Sequence, residues 1–351
     1  MNLLKITAAF LTFLLFFVSC SEDDQPELPK GDYEKGYFIS NEGPFNNGSG
    51  TITHVGEDDV VSQNIYKTVN DEDLGNIVQF MALSGDNAYF VVNNSHKIVV
   101  ANRYTMKKIT TIEGENINNP RYFVANNDRG YVSNWGDPLN PNDDFISIID
   151  LNSNEIISTI SVGEGPEDML IENNDLYVNL QGGWSQNNKV EVIDLQSNIV
   201  SNTLIVGDVP NSLVTDGRGN IWVLCGGKPS WTGFESGGKL AKITTSGHMV
   251  ELIDFDVTEH PEHLTINSEE LYYNLNGKVY EMIAQSSSLP ESPIDGIDGF
   301  FYAMKANNGE LFATDPIDFQ SEGSLKVFNL SSGALIETIQ TGILPGTIIF
   351  Q

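Results

Sequence analysis

The chain has 351 residues and carries 48 Asp and Glu against 18 Lys and Arg, a formal net charge of −30. That charge excludes nucleic acid and adsorption to anionic headgroups as expected partners, and it disfavours a bare anionic ligand unless a local basic group offsets the field. Two cysteines, Cys20 and Cys225, leave no intramolecular disulfide if the first is modified, so the fold must rest on its core.

At the start of the chain, Lys5 precedes an apolar run from Ile6 to Val18, too short for a comfortable membrane span and suited to a secretory signal. The run ends in "FVSC", a loose bacterial lipobox, which marks residues 1–20 as a lipoprotein signal with Cys20 as the lipidation site. Residues 21–34, beginning "SEDDQPELPKGD", are acidic and proline-containing, as a solvated tether should be. The membrane is then reached through the lipid anchor alone.

From residue 35 to 351 one phrase recurs. Its corners are "NIVQ" at Asn76, "NPRY" at Asn119, "GPED" at Gly165 and "VPNS" at Val209, followed by "HPEH" at His260, "GIDG" at Gly296 and "LPGT" at Leu344. After each corner comes an apolar stretch, a Gly/Asn/Asp turn and a second strand rich in aromatic and β-branched residues, such as "NAYFVVN", "DLYVNL" and "NIWVLC". Third and fourth strands follow, as in "KVEVIDL" and "IVSNTLIVG". Four strands per unit at a period of roughly 36 to 51 residues is the pattern of propeller blades, so the expected fold is all-β, a single seven-bladed β-propeller of four-stranded blades. "KGYFISN" from Lys35 is a second strand without a first, and the terminal "PGTIIFQ" is a first strand without a second. The C-terminal strand should therefore complete the N-terminal blade and close the ring, which removes an exposed sheet edge. Asp150, Asp194 and Asn329 begin tight turns and are read as structural.

Length varies mostly between second and third strands, in loops expected on the same face as the corners, around the mouth of the central channel. Five are long, and each carries a large aromatic: Phe45, Trp135, Trp184, Trp231 with Phe234, and Phe319. Glycine- and asparagine-rich loops offer little core, so a concave face ringed by these aromatics is read as a ligand-binding surface. Gln79, Arg121, Glu167, Asn211, His263 and Asp298, at or beside the corners, join them as ligand-binding candidates; Asp168 begins the same strand as Glu167.

Catalytic and metal motifs are weak. "HPEH" brings two histidines close in sequence, but Pro261 forces an extended corner and too few ligands accompany them. "DPLNPNDD" from Asp137 lacks the spaced acidic pattern of a calcium loop, and no Ser/His/Asp set has a nucleophile-elbow context. No metal, cofactor or catalytic residue is assigned, and the chain is not expected to be an enzyme.

"GPEDMLIENNDLYVNLQGG", "VPNSLVTDGRGNIWVLCGG", "LYYNLNGKVYEM" and "LPGTIIF" resemble the YncE-like propeller lipoproteins of Bacteroidetes, over roughly Gly36 to Phe350. The acidic cluster after Cys20 resembles the signal that exports such lipoproteins to the outer cell surface. The BtuG-like branch of that family implies a surface protein that captures cobalamin, or a related corrinoid nutrient, and passes it to a TonB-dependent outer-membrane transporter. Two other readings stay open: a lactonase-like hydrolase using a divalent metal in the channel, and a surface scaffold whose aromatic face binds protein.

Overall fold

Second and third strands of the repeat are apolar at nearly every position, and the reason lies in their surroundings. In a computed structural model that describes residues 29–45 and 47–351, these strands are covered on both faces by neighbouring blades. Asn87–Val92, for example, buries every residue after its first, whereas the outer strand Ile199–Ile205 buries only Leu204. Cys20 and residues 21–28 of the expected tether lie outside the described residues.

Seven antiparallel sheets form a closed seven-bladed propeller. Blade 1 joins the C-terminal Pro345–Phe350, innermost, to Tyr37–Asn41, Thr51–Val55 and the two-residue Val61–Ser62. Blade 2 comprises Val78–Ser84, Asn87–Val92, Lys97–Asn102 and Lys108–Glu113. Blades 3, 4 and 5 begin with Pro120–Asn126, Pro166–Glu172 and Pro210–Thr215, and each has four strands in chain order. Blade 7 runs Ala303–Asn307, Glu310–Asp315, Glu322–Asn329 and Leu335–Ile343. Innermost strands touch one another in sequence around the ring, the last meeting the first.

Blade 6 departs from the four-stranded plan. It has Glu262–Asn267, Glu270–Leu275 and Lys278–Ile283, and then an irregular segment that returns along the edge. Pro290 and Pro293 lie in that segment and cannot donate to a ladder. It is held instead by Ile294 N–H on the Val279 carbonyl at 2.8 Å and a single bridge between Lys278 and Asp298.

The core is divided among the interfaces between blades. Tyr89, Val91 and Val100 of blade 2 meet Phe123, Val132 and Ile149 of blade 3, with Tyr89 stacked on Phe123 at 4.6 Å between ring centres. Blades 7 and 1 meet in the same way, through Phe312, Leu325 and Val327 against Ile39, Val55 and Ile348. Cys225 sits fully buried between blades 4 and 5, where burial pushes its thiol far above the ordinary range, so it packs as a small apolar side chain. The turns are held as their sequences suggest: Asp194 Oδ1 accepts the N–H groups of Gln196 and Ser197 at 2.9 and 2.7 Å.

Closure is an antiparallel pairing of Tyr37 with Phe350, Phe38 with Ile349 and Ile39 with Ile348. The last residue adds a clamp, since Gln351 Oε1 accepts from Arg103 Nε of blade 2 at 2.8 Å. Removing residues 345–351 should leave the Tyr37–Asn41 edge unpaired and abolish a single cooperative melt, read by scanning calorimetry. The milder Ile348→Ala should cost about 2–5 kcal/mol, as for other buried isoleucines. A truncated chain that melts like the full-length one contradicts closure by this strand.

Candidate functional site

One backbone device aims side chains at the channel mouth. In five blades the residue before the inner strand has positive φ: Ile77 (61°), Asn119 (48°), Gly165 (73°), Val209 (58°) and Leu344 (55°). For β-branched Ile77 and Val209 this conformation costs on the order of 1–3 kcal/mol. A hydrogen bond fixes it, because each of these carbonyls accepts the N–H of the first residue after the second strand. The donors are Asn93, Trp135, Gln181, Gly226 and Glu42, at 2.8, 3.2, 2.8, 2.8 and 2.9 Å. In blades 2 to 5 the ladder slips by a bulge directly after the corner, which frees the next residue from the pleat. Gln79, Arg121, Glu167 and Asn211 occupy that freed position.

Their equivalents in the other blades depart in part from the sequence reading. In blade 7 the corner lies at Phe301–Ala303, not at Gly296, so Tyr302 takes the inner position. Asp298 instead sits on the edge of blade 6, where its carboxylate meets Lys278 Nζ at 3.1 Å. The "GIDG" segment imitates a corner only in its glycine spacing, and "FFYAM" has no proline to advertise one. In blade 1 the equivalent residue is Gly346, which leaves that sector without a side chain.

Glu42 fills the gap from the adjoining loop and completes a hydrogen-bonded chain across the mouth. Tyr302 donates its hydroxyl to Glu42 Oε1 at 3.0 Å, and Gln79 Nε2 donates to the same oxygen at 3.4 Å. Gln79 Oε1 accepts from Arg121 at 2.7 Å. Arg121 Nε and its second terminal nitrogen then hold the two oxygens of Glu167 at 2.8 and 3.2 Å. Glu167 is only 3% exposed, so this is a buried bidentate pair, and removing either partner alone would strand a charge. The Trp135 ring lies 4.5 Å from the Arg121 guanidinium, a cation–π contact on the other face.

These environments set the protonation equilibria. Burial pushes the Glu167 carboxyl above its ordinary value, and Arg121 pulls it part of the way back. Burial pushes Glu42 up to about 7; the Tyr302 hydroxyl and Arg121 oppose that rise, and Glu167 adds to it. Asp168, also raised chiefly by burial, reaches about 6, while the Leu213 and Met169 amides and Lys305 hold it down. Asp144 reaches about 7 for the same first reason, although it accepts the Gly165 N–H at 2.6 Å.

The remaining candidates divide into two groups. His263 and Asn211 serve joints between blades: His263 Nε2 donates to the Phe301 carbonyl at 2.9 Å, and Asn211 Nδ2 to the Pro261 carbonyl at 2.9 Å. The aromatics at the rim are open to solvent, with Trp184 76%, Trp231 79% and Phe234 85% exposed, and Phe45 similarly free. Their loops are tied down nonetheless. Ser185 donates to Glu164 at 2.8 Å, and Ser236 donates to Asp208 at 2.7 Å. Phe319 packs edge-on to Tyr302, 6.1 Å between ring centres, with Phe300 beside it at 5.9 Å. Sequence reasoning missed Glu42, Tyr302 and Phe300, none of which lies in a recurring motif. Among the described residues, no group of three or more His, Cys, Asp or Glu side chains is arranged to hold a metal ion.

Three of these raised carboxyls, Glu42, Asp144 and Asp168, make a prediction about stability. A folded-state pKa above the unfolded value means the native state holds protons the unfolded chain has already released. The stabilisation is full below the ordinary carboxylate range and is lost as pH rises through about 6 to 7. The melting temperature should therefore fall between about pH 5 and about pH 8. Glu42→Gln and Asp144→Asn should each flatten that slope, whereas Glu57→Gln, on an exposed residue, should not. A slope unchanged in both buried variants would assign the effect to overall charge repulsion.

Comparison with solved structures returns propellers at low identity, which establishes the fold alone. A quinoprotein alcohol dehydrogenase-like protein of Bacteroides thetaiotaomicron is 16% identical, with a TM-score of 0.67 over 91% of this chain and 78% of the other. A candidate 6-phosphogluconolactonase of Bacteroides fragilis is 11% identical, with a TM-score of 0.64 over 92% and 99%. Hydrazine synthase of Kuenenia stuttgartiensis is 16% identical, with a TM-score of 0.59 over 91% and 99%. No curated protein sequence matches. A family profile does match, across residues 35–350, and the chain belongs to that family, described as Domain of unknown function (DUF5074).

Proposed function

We propose that the mouth face captures a nutrient ligand, with a corrinoid or a similarly large flat molecule as the best fit. One observation carries this reading. A pre-organised polar chain from Tyr302 to Glu167 crosses the channel mouth, and solvent-exposed aromatics stand around it on tethered loops. Exposed Trp and Phe side chains are costly to keep in water and are suited to cover a flat apolar surface, while the polar chain fixes its orientation. The resemblance to YncE-like surface lipoproteins, and to their BtuG-like branch, supports the same reading and extends it. In that extension Cys20 is lipidated, the protein faces the cell exterior, and cargo passes to a TonB-dependent transporter.

Calorimetry of the purified protein against a panel of corrinoids, haem and siderophores tests capture. Trp184→Ala and Trp231→Ala should each weaken the binding compound by about five- to a hundredfold, by analogy with stacking on aromatics elsewhere, and should leave the melting temperature unchanged. Trp135→Ala should weaken binding and also lower the melting temperature, because that ring covers the Arg121 guanidinium. Normal binding in all three variants would move the site elsewhere. For the anchor, Cys20→Ala should release the protein from the outer membrane; retention in that fraction would contradict lipidation.

A further inference from the structure

We infer that the sector of the mouth between blades 7 and 2 is a subsite for a cationic amine, with Glu42 as its charge partner and Tyr302, Phe300 and Phe319 as its aromatic wall. The inference rests on the reading of the mouth as a ligand site and names the chemistry of one part of the ligand.

Charge is the first reason. Arg121, the cation of the mouth network, is already committed to both oxygens of Glu167 and to Gln79. Glu42 forms no ion pair among the described residues, and its two hydrogen-bond donors, Tyr302 and Gln79, are neutral. Both donors use Oε1. Oε2 accepts no hydrogen bond from the described residues. A carboxylate oxygen without a donor, beside a committed arginine and inside a protein of net charge −30, is a place for a cation.

Space is the second reason. Gly346 occupies the position that carries Gln79, Arg121, Glu167, Asn211 and Tyr302 in other blades. A Cβ there would meet only Ser40, at 3.7 and 3.9 Å, and the backbone does not need glycine. Neither packing nor conformation demands this glycine, because a Cβ there has only Ser40 within 4 Å, so the position would accept a side chain that it does not carry.

The wall is the third reason. Phe300 and Phe319 are 60% and 47% exposed; Phe319 stands edge-on to the tyrosine that bonds Glu42, and Phe300 stands against Phe319. Phe319 and its neighbour Ile317 both have positive φ, 64° and 60°, an expensive way to present apolar side chains to water. Asp318 holds the turn through the N–H groups of Gln320 and Ser321 at 2.9 and 2.6 Å. Aromatic faces beside a carboxylate are the combination that attracts ammonium groups.

Choline and its uncharged isostere 3,3-dimethylbutan-1-ol are the probes, titrated into the full-length protein at near-physiological salt and followed by ligand-detected NMR. Choline should bind saturably, and the isostere about tenfold more weakly or not at all. Glu42→Gln should weaken choline about tenfold and erase the preference, and Phe319→Ala should weaken it severalfold. Glu57→Gln, at the far end of the Thr51–Val55 strand, should leave binding unchanged. Gly346→Leu, whose Cβ fits the fold, should block the subsite without lowering the melting temperature. Lowering the pH through about 7 should reduce binding as Glu42 takes a proton; Arg121, Glu167, Gln79 and Tyr302 are the groups that face it. No saturable choline signal, equal response to the isostere, or indifference to both Glu42→Gln and Gly346→Leu would overturn the inference. If choline fails while a panel compound still depends on Trp184 and Trp231, capture stands and only the amine subsite falls. If choline behaves as expected and no panel compound binds, the flat-nutrient reading falls instead.

Discussion

The pairing of the last strand with the first described one is the constraint on which the rest depends. Every blade buries its two faces against neighbours, so an open array would leave apolar faces and sheet edges in water. Closing the ring covers the Phe312, Leu325 and Val327 surface with Ile39 and Ile348. The same closure builds the site, because the Glu42 N–H is held by the Leu344 carbonyl at 2.9 Å, one residue before the closing strand begins. Stability and recognition therefore share a set of hydrogen bonds at the joint between the two ends of the chain.

Around that joint the protein uses one corner many times and varies the side chain placed just beyond it. The corner supplies a carbonyl in a fixed place and a bulge that releases the next side chain toward the mouth. The released group differs by sector: an amide at Gln79, a guanidinium at Arg121, a carboxylate at Glu167, a phenol at Tyr302, nothing at Gly346. A strongly acidic protein keeps its mouth arginine by burying it against Glu167 and covering it with Trp135. Glu42 lacks such a partner, which is why burial raises its pKa toward neutrality and why the sector beside it differs chemically from the rest.

Much of this was legible in the sequence, and the illegible parts have physical reasons. Proline at the start of a strand and Asp or Asn at a turn impose local geometry, so the corners at Asn119, Gly165, Val209 and Leu344 could be placed from residues alone. Closure followed from one unmatched strand at each end. The corner of blade 7 lacks proline, and a glycine-rich segment upstream imitates it, so the sequence puts Asp298 at the mouth when it lies on an edge. Blade 6 loses its fourth strand to the segment carrying Pro290 and Pro293. Glu42 and Tyr302 are 260 residues apart, and no local pattern announces a bond between them. The three loop tryptophans look equivalent in sequence, yet Trp135 packs on Arg121 while Trp184 and Trp231 stand in solvent.

The central claim is that ligand recognition happens at the mouth and draws on residues from several blades at once. Hydrogen exchange measured with and without the panel compound that gives the largest heat addresses it most directly. The account predicts slowed exchange in the segments 42–50, 135–144, 181–188, 226–238 and 316–321 together, with outer strands such as Ile199–Ile205 and Met249–Asp254 unchanged. Protection confined to the outer strands, or to a single blade, would contradict it.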